Sequence, residues 1–278
     1  MQKNKDNMDI PLPTNNDEYF QNASLTADLK GRSLRGGIVT LAGNAMRFAI
    51  HLAGLAALGR LLVPEDFGLF AMVMAFTGFV SVFKDAGLSV ATVQRKHVSE
   101  GQISTLFWFN LLIGVVLMTV TALLAPVATW FYGREELTPI TLAIALSYFL
   151  SGLGMQHQAL LRRQMRFTVL AIIEVLAPAA ALMVAVAMAF CGAGYWALVL
   201  QLLTTAGVLT ILYWYFCGWR PGLPRRGTGV RAMLAFGMNL TGADLMNYLA
   251  RNLDNILICL LYTSPSPRDR TRSRMPSS

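Results

Sequence analysis

Hydrophobic residues in this chain come in long unbroken runs rather than in alternation. Seven runs, 36–63, 67–90, 105–131, 139–155, 169–190, 195–216 and 232–258, are separated by short polar joints. A bilayer's hydrocarbon core is about 30 Å thick, so a helix crosses it with about 20 apolar residues. Backbone polar groups in lipid must be satisfied internally, which leaves helices or closed barrels. Runs of this length without a period of two predict helices. The pattern therefore predicts an all-α, polytopic membrane protein.

The joints predict tight turns. Pro64 is expected to stop the first helix, with Asp66 as N-cap of the second. No joint has room for an extramembrane catalytic domain, so any function lies inside the membrane or at its rims. Residues 1–35 are polar, carry no signal-type apolar core, and read as a tail ending in an interfacial segment near 25–34.

Composition agrees: 55% of residues are hydrophobic and only 14% charged, against about a quarter charged in soluble domains. The net charge of +8 would suit nucleic acid, but its placement argues for a membrane and against nucleic acid. Lys30, Arg32, Arg35, Arg95, Lys96, Arg162, Arg163, Arg166, Arg220, Arg225, Arg226 and Arg231 fall in joints on one side, whereas Arg60 and Arg134 fall on the other. Twelve against two predicts a cytoplasmic N-terminus by the positive-inside rule. Tyr132, Tyr195, Trp196, Trp130 and Trp219 sit near span ends, where aromatic belts belong. Three cysteines make no disulfide framework.

Charged side chains within spans are expensive and usually face a cavity or a partner. Thr40, Asn44, Arg47 and His51 share one face of the first span at steps of four, three and four. Thr77, Ser81, Lys84 and Asp85 mark the second. Asp244, Asn247, Tyr248, Arg251 and Asp254 mark the seventh, and Glu174 lies one turn before Pro178 in the fifth. Three striped helices point to a shared hydrophilic cavity. Asn44, Arg47, His51, Lys84, Asp244, Asn247 and Arg251 are the candidate substrate pathway, and Glu174 and Asp254 the candidates for ion coupling. Each also has a purely structural reading, as an internal ion pair, a snorkelling lysine or a helix–helix hydrogen bond. Arginine's planar fork suits phosphate, so Arg47 and Arg251 suit a pyrophosphate headgroup. No nucleophile–base pair, phosphate-cradling glycine loop or metal motif occurs. The chain is expected to be a non-enzyme with no cofactor or metal.

Four stretches resemble those of bacterial polysaccharide flippases: LLVPEDFGLF at 61–70, DAGLS at 85–89, ALLRRQMRF at 159–167 and NLDNILI at 252–258. The similarity is to the lipopolysaccharide and exopolysaccharide (colanic-acid-type) exporters of the multidrug/oligosaccharidyl-lipid/polysaccharide exporter superfamily. It implies a MATE-like transporter of two six-helix bundles around a V-shaped cavity. Here 36–218 would form the first bundle, 219–231 a basic cytoplasmic loop and 232–258 the seventh helix. It also implies export of polyprenyl-pyrophosphate-linked oligosaccharide across the inner membrane, alongside polysaccharide polymerase and assembly proteins. The alternatives are a multidrug exporter of the same superfamily and a non-catalytic scaffold. Residues 259–278 resemble an in-frame translation of a sequencing adapter, so the native chain is expected to break off near 258 as an N-terminal fragment.

Overall fold

The computed structural model describes residues 29–84, 88–94, 98–224, 234–235, 237–248 and 250. Within them lie seven helices: α1 (Leu29–Leu61), α2 (Pro64–Ser81), α3 (Leu88–Gln94), α4 (Glu100–Tyr132), α5 (Leu137–Arg163), α6 (Phe167–Phe190) and α7 (Trp196–Cys217). A further helical stretch covers 237–248. Five helices are long and apolar enough to cross a membrane: Gly36–Leu61, Glu100–Tyr132, Leu137–Arg163, Phe167–Phe190 and Trp196–Cys217. The chain is a multi-pass membrane protein. The polar tail before 29, Asp85, Arg251, Asp254 and the adapter-like 259–278 lie outside the described residues.

Three expectations change. The second run is not one helix. After Ser81 the amides of Phe83 and Lys84 bond to carbonyls three residues back in a turn, and the next described helix, α3, begins at Leu88. The fourth span does not stop at 155. Gln156, His157 and Gln158 continue α5 to Arg163 because their polar groups find partners inside the bundle. Asp66 is not an N-cap, because α2 begins at Pro64, where a missing N–H costs nothing. From the third position its carboxylate accepts the amides of Val63 (3.3 Å) and Tyr195 (2.9 Å). It thus ties the α1–α2 joint to the α6–α7 joint.

Two boundaries have a clear local cause. Ser99 and Gln102 form a capping box at the start of α4. Gly218 ends α7 in the left-handed region (φ 66°), where an L side chain is strained. Two alternating ends result. The basic end gathers the N-termini of α1, α4 and α6 with the C-termini of α5 and α7; the far end holds Asp66, Tyr195 and an exposed Arg134–Glu65 ion pair (2.9 Å).

Packing is most extensive between α4 and α5. A Cβ on Gly114 would lie 2.8 Å from the Tyr148 carbonyl, and one on Gly152 would lie 2.9 Å from that of Asn110. Small residues at a crossing let membrane helices approach this closely. The same pair carries a buried polar chain, in which Asn110 Nδ2 donates to Gln156 Oε1 (3.2 Å) and Gln156 Nε2 to Thr92 Oγ1 (3.2 Å). Arg163, also buried, donates to the Thr92 carbonyl (2.9 Å), which fixes α3 against α5.

The main core sits at the basic end around Ile103, Leu106, Phe107, Leu160, Leu161, Ile173 and Trp219. Trp219 is therefore not a belt residue. It is 2% exposed, near His157 and Phe107, whereas Trp130, 84% exposed, is placed as a belt requires. Beyond α7 the chain is strapped onto α4: Gly222 donates to Ser104 Oγ (3.1 Å), and Trp108 Nε1 donates to the Gly222 carbonyl (3.0 Å). Leu123, Phe190 and Ile211 face outward, as lipid-facing side chains do.

Candidate functional site

A cavity of about 910 Å³ opens between α1, α2, α5 and α7, with Pro178 of α6 at its edge. Helix α1 supplies Asn44, Arg47 and His51, and α2 supplies Ser81, with Lys84 just beyond its end. Helix α5 contributes Ser147, Tyr148, Ser151 and Gln158, and α7 contributes Gln201, Thr205, Thr210 and Tyr213. Ile144, Leu198 and Leu209 add apolar wall. The site mixes hydroxyls, amides and cations, and among the described residues no carboxylate lines it directly.

Helix α1 reaches its place by packing chiefly on α6. A Cβ on Gly43 would lie 3.0 Å from that of Ala171, so the two backbones run close. One turn further on, the same face brings Arg47 to Glu174 (Nη1–Oε2 3.7 Å). Arg47 also donates to Asn44 Oδ1 (3.2 Å). On the other side of the carboxylate stands Arg162 of α5 (Nη2–Oε1 3.8 Å). Gln158 Nε2 lies 3.5 Å from Glu174 Oε1 and donates to Tyr213 Oη at 2.9 Å. Glu174 thus holds two arginines from two helices beside the cavity. It lies seven residues into α6, about 10 Å from that helix's start at the basic end.

Of the residues singled out by sequence, Asn44, Arg47, His51 and Lys84 share this cavity, and Glu174 joins them through Arg47. Asp244 and Asn247 lie on the helical stretch 237–248, exposed and apart from the cavity wall. That stretch touches α2 at Tyr248, whose hydroxyl lies 3.5 Å from where a Cβ on Gly78 would sit. Thr77, counted in the α2 stripe, is buried instead: its hydroxyl donates to the Val73 carbonyl, and its own carbonyl accepts from Tyr148 Oη. Sequence reasoning missed the α5 and α7 walls. Their signal was present, with 147, 151 and 158 falling on one helical face and 201 and 205 on another. It was weak because neutral hydroxyls and amides barely lower a hydropathy average.

The model of a family described as polysaccharide biosynthesis protein matches residues 57–266. The chain belongs to this family. The teichuronic acid biosynthesis protein TuaB of Bacillus subtilis is 30% identical over 75% of the chain and 44% of its own length. The lipopolysaccharide biosynthesis protein WzxC of Escherichia coli is 25% identical, over 83% of the chain and 47% of its own. The succinoglycan biosynthesis transport protein ExoT of Rhizobium meliloti is 25% identical, over 73% and 41%. The chain spans less than half the length of these curated relatives. No solved structure shows significant similarity to it.

Proposed function

We propose that the gene product exports lipid-linked oligosaccharide repeat units across the bacterial inner membrane for polysaccharide assembly. One observation carries this reading: a large cavity of mixed polar and apolar lining with Arg47 and Lys84 on its wall, in a family whose members are named for polysaccharide biosynthesis. The relatives are named for three different polymers, so the reading extends to the class of cargo and not to one glycan. The sugar and pyrophosphate enter the cavity while the polyprenyl chain stays in lipid, and two bundles rock about the site. The protein works as a transporter and not as an enzyme. Its N-terminus is cytoplasmic, and polymerase and assembly proteins take up its product. In this reading Asp244, Asn247 and Arg251 extend the pathway beyond the wall of the described cavity, and Glu174 or Asp254 carries the coupling ion.

Replacing Arg47 with Ala in the whole gene product tests the proposal. Lipid-linked repeat units are expected to accumulate and surface polymer to fall. Normal polymer output from a normally expressed variant refutes the assignment, and a raised drug susceptibility in its place points to a multidrug exporter.

A further inference from the structure

By sequence Arg162 is one of the basic residues of a joint. The structure keeps it in the last turn of α5, one turn beyond the cavity-lining Gln158, and turns it against Glu174. Arg47 and Arg162 come from different helices and approach different oxygens of the same carboxylate, at 3.7 and 3.8 Å. Both distances exceed a good charge-assisted hydrogen bond, about 2.7–2.9 Å. The third contact, from Gln158, is also at the limit, at 3.5 Å. Glu174 is therefore attracted to both guanidiniums without being locked to either. The arginines keep about half their side-chain surface open (52% and 48%), whereas Glu174 keeps 24%. Two outward-facing forks flanking one loosely held anion make a site whose resident can be exchanged for a better one.

We propose that Glu174 is an internal stand-in for a phosphate-class anion, and that Arg162 is a specificity-determining ligand acting with Arg47. An incoming diphosphate displaces the carboxylate and takes both forks. A carboxylate presents two oxygens, whereas a diphosphate presents enough for a bidentate pair with each arginine. The exchange needs no covalent step. In the empty state Glu174 keeps two like charges from opposing each other across the α1–α5 gap. The inference rests on the transport reading and adds to it a ligand from α5 and a built-in competitor.

Competition gives the variants opposite signs. Binding is measured on the whole gene product in detergent, with inorganic pyrophosphate and with farnesyl pyrophosphate as separate probes. Glu174→Gln removes the competing charge and is expected to tighten binding about tenfold. Arg162→Gln is expected to weaken it by about tenfold or more, the worth of one charge-assisted contact. Arg134→Gln makes the same charge change in the Arg134–Glu65 pair at the far end and should leave binding alone. Far-ultraviolet circular dichroism and the melting temperature confirm that each variant is folded. If both probes respond alike, the diphosphate itself is recognised; if only the prenylated probe responds, the source is a lipid headgroup. Binding that weakens in Glu174→Gln, or is untouched in Arg162→Gln, overturns the inference. If Arg47→Ala alone weakens binding, the transport reading stands without this addition. If no variant responds and export is also normal in Arg47→Ala, both fall.

Discussion

Replacing Gly152 with Ala tests the packing that sets the α5 wall of the cavity. The added methyl would lie 2.9 Å from the Asn110 carbonyl, where ordinary Cβ contacts begin at about 3.4 Å. The helices must part by roughly 0.5 Å or distort, and overpacking of this kind costs about 1–3 kcal/mol. Alanine's better helix propensity returns about 0.5–1 kcal/mol. Asn110 is also the residue whose amide donates to Gln156. Weakening that buried bond adds a further cost of about 1–3 kcal/mol where it breaks. The expected net is a destabilisation of up to about 5 kcal/mol, largest where the Asn110–Gln156 bond also breaks. Gly59→Ala is the matched control, because a Cβ there meets nothing within 4 Å, and a gain of about 0.5–1 kcal/mol is expected. Reversible unfolding in detergent micelles, by denaturant titration of helix content, reads both. Opposite signs support the close crossing. A Gly152→Ala protein as stable as Gly59→Ala would mean that α4 and α5 do not meet through these glycines.

Two further predictions concern the ends of the bundle. Asp66→Ala strips the acceptor from the Val63 and Tyr195 amides and should cost about 1.5–3 kcal/mol; hydrogen exchange at Tyr195 should rise first, and unchanged protection there would remove Asp66 as the tie. Trp219→Ala empties a buried aromatic site at the basic end and should cost about 3–5 kcal/mol, read in the same unfolding titration. A loss below about 1 kcal/mol, the scale of an ordinary surface change, would place Trp219 at the membrane surface after all.

Hydrophobic run length reveals the helical membrane class, and helical spacing alone puts Asn44, Arg47 and His51 on one face. What the sequence hides is partnership. Gln156 and His157 look like the end of a span because polarity is counted residue by residue, whereas its cost depends on Asn110, Thr92 and the Trp219 carbonyl, 46 to 64 residues away. Trp219 looks like an anchor because span-end tryptophans usually are, yet its ring is covered by α4 and α5. The break after Ser81 is hidden by a hydropathy that stays high through 82–83. Glu174 can be named from sequence as an arginine partner, but that it faces two arginines follows only from the α1–α6 approach at Gly43 and Ala171 and from the last turn of α5, which brings Arg162.

The Asp66 tie also has a mechanical side. Among the described residues, the α1 side that joins a hydrophobic core cluster does so near the helix end, through Leu58 and, just beyond it, Leu62 against Ala185, Ala189 and Leu198, beside the joint that Asp66 staples to Tyr195. From there the helix runs back to Arg47 packed chiefly on α6. Arg47 lies 15 residues from Leu62, a lever arm of about 22 Å at 1.5 Å per residue. A swing of about 5° on that fulcrum displaces the guanidinium by roughly 2 Å, enough to part a 3.7 Å ion pair. Small rotations at the stapled end are thereby magnified at the charged one.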